Sequence, residues 1–551
     1  MIADEIKKLL GQPIKLEHPT ILAHGDYACY ARGKAPELVA KINRAKPDWL
    51  EKVEAVGDFV NFYLSPKFFV EEIKKINEEK NDYGKQNIGQ GKKVIVEYSS
   101  PNIAKPFTVG HLRSTIIGDA IANLLVFSGY EVIRDNHLGD WGTQFGKQIV
   151  AIKRWGDEAK IETSDNPVKE LVALYIKFHD EAEENPELED EAREWFKKLE
   201  QGDMEAERIW RKCIAWSLKE FFEIYRKLNA NVGTPLGEST YVTKSPEVYR
   251  ALEEKKLMRL SEGADVVFFE NDKLPPLIVR KKDGSSIYAT RDLGADLARK
   301  QKYGDDIIII NEVGSEQSLY MRQLYEVEKM LGWFKPEQRV HVAHGLYRFK
   351  DGKMSTRKGN VIWLGEVIVE AIKRASEFNP GAAQVVGIGA LKYNDLKRNS
   401  KQDIVFDWNE VMNLKGDSGP YLQYTCVRAK SVLEKANQSA EGEAKGSTSP
   451  EKSFLGSSET IPRPLENFSP APVERLLYRF PEVVERAADD YAPNYLVTYL
   501  TDLAATFNSY YAANKIIGSK EETYRLALTS ATAQVLENGL NLLGIQVPAK
   551  M

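Results

Sequence analysis

Cysteine is scarce in this 551-residue chain: Cys29, Cys213 and Cys426 stand far apart and are odd in number, which excludes a disulfide framework and a four-thiolate zinc site. Each reads as a small buried hydrophobe. Of seven histidines, only His341 and His344, in "HVAH", stand close together. Their apolar company suits a strand leaving the core better than a zinc-binding helix, so no metal ligands are assigned. No apolar run approaches the length needed to cross a bilayer. The opening "MIADEIKKLLGQPIKL" is a short amphipathic pattern with acidic residues, unlike a signal or transit peptide, so the expected location is cytoplasmic, away from any membrane. Positive charge is not in excess either: 76 Lys and Arg face 81 Asp and Glu, a net charge of −5. Any nucleic-acid surface must then be a local basic patch on an acidic background. There is no "GxxxxGK[ST]" loop and no convincing "GxGxxG", so a bound nucleotide would need a different geometry.

What is present is the composition of a globular protein, 42% hydrophobic and 28% charged, in a chain long enough for several domains. Residues 1–85 read as a small α+β unit. In "DFVNFYLS", Val60, Phe62 and Leu64 alternate with Phe59, Asn61 and Tyr63, so one face is core and the other is either a second packing face or a stacking surface for a base. From about residue 86 to 415, the apolar runs "VIVEY", "EVIRDN", "DIIIINEVG" and "RVHVAHGLY" alternate with helical patterns. This predicts a Rossmann-like α/β domain with a parallel sheet, interrupted by a charge-rich helical insertion at about 150–260. Residues 416–551 read as an α-helical domain. It is interrupted at about 437–472 by a segment rich in Ser, Glu, Gly and Pro, expected to be a flexible loop.

Two stretches carry chemistry. "PNIAKPFTVGHLRST" follows the first strand of the sheet and leads into a helix. In an open parallel sheet, ligands bind beyond the carboxyl ends of the strands, where helix N-termini offer free N–H groups and a positive dipole end. There Gly110 would let a nucleotide approach the backbone, and His111 would donate toward phosphoryl oxygens; the alternative is a strand–helix corner with a structural histidine. The second stretch, "DGKMSTRKGNVI", packs Lys353, Arg357 and Lys358 into a glycine-bounded segment. Such cations suit a pentavalent transition state and a leaving pyrophosphate. Alone, it would read as a basic surface loop.

Together the two stretches resemble the "HIGH" and "KMSKS" elements of class I aminoacyl-tRNA synthetases. With "VEYSSPNIAKPFTVGHLRSTIIGD", "DNHLGDWGTQFG", "YATRDLGA", "GPYLQYTCVRA" and the ending "LGIQVPAKM", nearly the whole chain resembles arginyl-tRNA synthetases. Two positions depart from the family pattern: Thr108 stands where the first His of "HIGH" would be, and Thr356-Arg357 replace the second lysine of "KMSKS". The resemblance implies ligation of L-arginine to tRNA(Arg) through an adenylate, with ATP and Mg²⁺, by a monomer that needs bound tRNA for activation. It implies Lys105, His111 and Lys353 as catalytic groups, and Thr108, Gly110, His111, Lys353, Met354, Ser355 and Arg357 around ATP. Glu97 and Asp292 would receive the guanidinium, with Tyr288 one turn from Asp292, while Asn102 and Gln317 would hold the substrate's other end or line its pocket. For Asp292 the structural alternative is an acid near a helix N-terminus. For tRNA, the candidates are Phe59, Asn61 and Tyr63 in the N-terminal unit and Tyr421, Tyr424, Tyr510, Tyr511 and Met551 in the helical domain; for the latter group, core packing is the alternative. Rival readings are a nucleotidyltransferase, which would not need the long helical region, a tRNA-binding relative without activation chemistry, and a class I synthetase for another amino acid.

Overall fold

The computed structural model describes all residues except 12–13, 271–273, 283, 349–361, 414 and 445–468, together with the side chains of 439–444. Near the N-terminus, β1 (Tyr27–Tyr30), β2 (Leu50–Val56) and β3 (Phe59–Leu64) form an antiparallel sheet in the order β1-β3-β2. Gly57, at φ 60, turns β2 into β3, a left-handed backbone that glycine adopts without strain. Val60, Phe62 and Leu64 point into a core with Ile6, Leu38 and Ile42, as the alternation predicts.

The second sheet has five parallel strands. β4 (Lys93–Glu97), β5 (Glu131–Leu138) and β6 (Thr234–Gly237) run outward to one side, and β10 (Ile308–Gly314) and β11 (Arg339–His344) lie on the other, giving β11-β10-β4-β5-β6. Val94, Ile95 and Val96 are all at most 1% exposed, because helices cover both faces. The strand order reverses between β4 and β10, so a crevice opens at their carboxyl ends. Helices Thr143–Trp155, Glu158–Thr163, Pro167–Glu184, Glu187–Glu200 and Met204–Leu228 fill the chain between β5 and β6. Two strands lie within the stretch expected to be a helical insertion: β6, a four-residue edge strand containing Pro235, and β7 (Met258–Ser261). β7 pairs with β8 (Ala264–Val267), which pairs with β9 (Leu277–Arg280), in a separate antiparallel sheet. Their shortness and the proline and glycine in β6 hid them from periodicity.

The C-terminal region is helical: Gly419–Ala444, Pro472–Leu477, Phe480–Asp489, Asn494–Ala513 and Glu522–Leu542. The first of these runs into the segment expected to be a loop, most of which lies outside the described residues. One apolar cluster continues from Val94 and Leu112 through Leu422 to Leu540 and Ile545, so the sheet domain and the helical domain share a core. The N-terminal unit docks through polar groups. Buried Asp26 accepts from Leu64 N at 2.8 Å and pairs with Arg475. His18 Nε2 lies 3.0 Å from Glu482, which also accepts from the Tyr27 hydroxyl.

Helix Val109–Phe127, which leads away from the crevice, crosses β4 closely. A Cβ on Gly118 would lie 2.2 Å from the Tyr98 ring, inside any tolerable contact. Gly118→Ala is therefore expected to lower stability by about 1–3 kcal/mol through overpacking, although alanine is the better helix former. Denaturant unfolding checks this; an unchanged or raised midpoint would show that the crossing has slack.

Candidate active site

Between β4 and helix Val109–Phe127 the chain makes a strained turn. Among the described residues ten non-glycines have positive φ, and three of them, Ser99 (70°), Ser100 (37°) and Ala104 (56°), lie in this one turn. Such conformations cost on the order of 1–3 kcal/mol each and persist only where the surroundings enforce them. Here Ser99 N donates to Ser114 Oγ at 2.9 Å, Ser99 Oγ meets Thr115 Oγ1 at 2.7 Å, and Ala104 N donates to Ser217 Oγ at 3.0 Å. Ile103 N donates to Gly139 O at 3.1 Å. Gly139 lets the Asn102 side chain lie against the backbone: a Cβ there would sit 2.0 Å from Asn102 Oδ1 and would turn that amide away.

The turn delivers Thr108 as the N-cap of the helix and His111 in its first turn. Thr108 N donates to His111 Nδ1 at 3.0 Å, which fixes that nitrogen as acceptor and leaves the proton on Nε2. Enclosure of the ring lowers its pKa to about 4, so His111 is a neutral N–H donor at physiological pH. Lys105 is part-buried; burial pulls its pKa down and the nearby Glu238 opposes that. Gly110 needs no positive φ, and the nearest atom to a Cβ there is Thr108 Oγ1 at 3.4 Å. The protein's own packing therefore does not explain a glycine at 110.

Lys353, Met354, Ser355, Thr356, Arg357 and Lys358 lie outside the described residues. The residues flanking them are tied to the His111 helix. On one side, Val109 N donates to Ile362 O at 3.2 Å and Leu364 N to Phe107 O at 2.9 Å. On the other, β12 (Tyr347–Arg348) pairs with β13 (Ile404–Val405), and the Tyr347 hydroxyl donates to Asp395 at 2.7 Å. Fully buried Arg113 donates to the same Asp395 at 3.3 Å and to Gln402 O at 2.7 Å. Two stretches about 250 residues apart in sequence thus meet at one helix.

The candidate guanidinium pocket forms where helix Tyr288–Tyr303 lies over the sheet. Tyr288, Asp292, Asp296 and Arg299 are spaced four, four and three apart, one face of the helix. Beneath them Glu97 and Asp135 are register partners on β4 and β5, and His137 lies two residues beyond Asp135 on its face. Arg299 lies 2.5 Å from Glu97, 2.8 Å from Asp135 and 2.7 Å from Asp296. Asp296 also meets Arg339 at 2.7 Å, and Arg339 meets Glu328 at 2.7 Å. Burial raises Glu328 against the pull of Arg339, whereas the two arginines outweigh burial at Asp296 and hold it low. Glu97 is 7% exposed and already serves an internal guanidinium, a partner its sequence position does not disclose.

Asp292 lies further out. Ile287 caps the helix, so Asp292 is in the second turn and is not a capping acid. It accepts from the Tyr320 hydroxyl, and its other oxygen is 3.5 Å from His137 Nε2. Tyr288 is 48% exposed, with its ring 4.9 Å from that of Tyr320. Gln317 is exposed in the short turn after β10, and Asn102 is exposed at the mouth of the strained turn. His137, Tyr320, Arg299 and Gly139 are the members that sequence reasoning missed. The spacing of Asp135 and His137 on one strand face was a usable signal for His137.

The tRNA candidates divide by exposure. On β3, Phe59 is 46% exposed and meets Tyr30 at 5.3 Å, but Asn61 is buried. The Tyr63 hydroxyl donates to Ala23 O at 2.8 Å and to Glu54. Burial and Glu54 push the Tyr63 phenol up to about 12. In the helical domain Tyr424 and Tyr511 are exposed, and the Arg428 guanidinium lies 4.6 Å and 5.6 Å from their rings. Tyr421 and Tyr510 pack partly against the main core, and the Tyr421 hydroxyl accepts from Asn508 at 3.0 Å. Met551 packs against the cluster of Ala375, Ala383 and Val386.

The chain is similar to known proteins along its whole length. Residues 72–408 match the family model described as "tRNA synthetases class I (R), catalytic domain", and residues 422–551 match the "DALR anticodon binding domain". The chain is 40% identical to the arginine–tRNA ligase of Clostridium kluyveri, covering all of this chain and 99% of that protein. It is 41% identical to that of Clostridium perfringens, covering all of this chain and 97% of the other. Among solved structures, the arginyl-tRNA synthetase of Plasmodium falciparum superposes with a TM-score of 0.77 at 25% identity, over 100% of this chain and 97% of that one. The Thermus thermophilus enzyme gives 0.78 at 23% identity over the full length of both, a likeness of fold.

Gly110 separates packing from ligand approach. Gly110→Ala is expected to fold with unchanged or higher stability while raising the KM for ATP by at least about tenfold, the cost of one crowded methyl group. Thermal unfolding and ATP-dependent steady-state kinetics read the two effects; unchanged ATP kinetics would move the nucleotide away from this corner.

Proposed function

The chain belongs to the class I arginyl-tRNA synthetases, and on that footing we propose how its residues divide the work. It ligates L-arginine to tRNA(Arg) through an arginyl-adenylate, converting ATP to AMP and diphosphate. The arginine carboxylate attacks the α-phosphorus of ATP, the bond to the bridging oxygen breaks, and diphosphate leaves. The terminal ribose hydroxyl of the tRNA then attacks the adenylate carbonyl and AMP leaves. No protein nucleophile is needed, so catalysis is positioning plus charge stabilisation.

In our reading His111 acts as a neutral donor: its Nε2–H is the free hydrogen-bonding group at the corner, and with its pKa near 4 it keeps that proton throughout. Thr108 and Gly110 shape the nucleotide's approach, and Lys105 supplies positive charge in place of the absent first histidine of "HIGH". Lys353, with Met354, Ser355 and Arg357, is assigned to the phosphates from sequence. Mg²⁺, an ion that dehydrates reluctantly and is usually taken up with nucleotide phosphates, would accompany ATP and supply charge neutralisation for the leaving diphosphate. Glu97 and Asp292 select the guanidinium, Tyr288 closes the pocket's outer side, and Asn102 and Gln317 hold the amino-acid end. The observation that supports this reading is the cluster of acids, Glu97, Asp135, Asp292 and Glu238, gathered at the carboxyl ends of β4 and β5 and under helix Tyr288–Tyr303. Buried carboxylates reject neutral side chains strongly enough that no editing site is required.

For tRNA, exposed Phe59 with Tyr63 at one end and Tyr424 and Tyr511 around Arg428 at the other offer faces on which bases stack. Buried Asn61 and the partly packed Tyr421, Tyr510 and Met551 serve these surfaces from behind. The division into residues 1–85, 86–415 and 416–551 suits a tRNA-contacting unit, a catalytic domain and an anticodon-binding domain. We take the protein to act as a cytoplasmic monomer; among the described residues no helix is long and apolar enough to cross a membrane.

Activation is expected to need tRNA. The "HIGH"-like and "KMSKS"-like elements both depart from the family pattern, and binding energy from the two tRNA surfaces is available to complete the site. Arginine-dependent exchange of pyrophosphate into ATP, with and without a tRNA(Arg) transcript and against a panel of amino acids, tests this. Exchange with arginine only and with tRNA only is the expected result. Exchange without tRNA would remove the coupling, and exchange with another amino acid would overturn the specificity.

A further inference from the structure

His137 sits in the candidate pocket with no conventional role. Its side chain is 12% exposed, and neither ring nitrogen makes a hydrogen bond. Nε2 is 3.5 Å from Asp292, an ion-pair distance too long for a hydrogen bond. The groups that face it come from four directions: Glu97 on β4, Asp292 and Arg299 on the overlying helix, Asp140 just after β5, and Glu238 and Tyr241 from the turn after β6. Most of them are acids. A neutral imidazole here would have two unsatisfied buried nitrogens, and Asp292, unlike the Arg299-paired Glu97, would have no cation beside it among the described residues.

We propose that His137 is a protonated stand-in for the substrate's guanidinium: it holds Asp292, beside the Arg299-paired Glu97, and gives up its proton when arginine binds. The inference rests on the arginine-pocket reading above. Burial alone would depress this imidazole, but Asp292 and Glu97 outweigh it and push the pKa up to about 9. An arginine side chain between the same carboxylates would remove that support and add a repelling charge, so the imidazolium proton passes to solvent as the guanidinium enters. One cation replaces another, and the charge balance of the buried cluster is preserved. Binding that releases a proton strengthens as pH rises. Arginine affinity should therefore rise with pH up to about 9 and fall as the pH drops below that value.

The test is calorimetric titration of arginine into the enzyme bound to tRNA(Arg), without ATP, at pH 7.5 in buffers of different ionisation enthalpy. Release of about one proton per arginine is expected, with an affinity that rises between pH 6.5 and 8.5 by a factor approaching tenfold per unit. In His137→Asn both the release and the slope should disappear while arginine still binds. Histidine-labelled NMR of the wild-type enzyme provides a readout that does not depend on the variant folding: one imidazolium signal at pH 7.5 should become a neutral imidazole when arginine is added. Arginine binding without proton release, release that persists in folded His137→Asn, or an imidazolium that stays charged would each overturn the proposal and leave the pocket intact. Absence of arginine binding, or binding indifferent to Asp292→Asn, would overturn the pocket reading and this proposal with it.

Discussion

Arg299 reaches from the helix over the sheet to Glu97 at 2.5 Å, Asp135 at 2.8 Å and Asp296 at 2.7 Å, and the geometry of the amino-acid pocket depends on that junction. Its guanidinium fixes helix Tyr288–Tyr303 against the ends of β4 and β5. That in turn places Asp292, one turn before Asp296, over His137 and beside Tyr320. A buried ion cluster of this kind is seldom a large net source of stability, since desolvation offsets most of the Coulomb gain. Its effect is on position: each carboxylate has a fixed partner, so the pocket is built before substrate arrives. On the proposed reading Glu97 has two duties, one to the fold and one to the substrate, whereas among the described residues Asp292 is held by Tyr320 and His137.

The nucleotide corner is organised by a different means. Three non-glycine residues are held at positive φ between β4 and the following helix, restrained by Ser114, Thr115 and Ser217. The strain is local, and it aims the N-terminus of helix Val109–Phe127 into the crevice with His111 in a defined tautomer. Arg113 and Asp395 then connect that helix to the strand entering the basic segment, and Ile362 connects it to the residues leaving it. The described residues on either side of the basic segment are therefore mounted on the same helix as His111.

Much of this was legible from the residues. The four apolar runs of the sheet announced themselves because strands buried on both faces need no alternation, and the alternation of Val60, Phe62 and Leu64 identified β3. The placing of His111 followed from where a parallel sheet binds ligands. What stayed hidden required distance information. Nothing in "RDLGADLARK" states that Arg299 will meet Glu97 about 200 residues earlier, and Tyr320 is one aromatic among many until it is seen against Asp292. Asn61 looked available for stacking because it alternates outward, but it is buried between Phe59, which is exposed, and Tyr63, which is half-buried, on the same face. Tyr30, which completes the exposed face with Phe59, has no neighbour in sequence to mark it, whereas the i, i+4 spacing of Tyr424 and Arg428 on one helix was a usable signal. The short strands β6 to β9 carry too few residues for periodicity to register.

The central claim is that recognition rests on charge at the guanidinium, exerted by carboxylates held ready by Arg299 and His137. Citrulline tests it most directly, since it keeps the shape of arginine and replaces the cation by a neutral urea. Aminoacylation kinetics with each amino acid would measure the discrimination in kcat/KM. The account predicts a preference for arginine of at least about 10⁴-fold, as for sites whose buried polar groups are left unpaired by the wrong substrate, falling by orders of magnitude in Asp292→Asn. A wild-type preference within about tenfold, or one unmoved by that substitution, would contradict it.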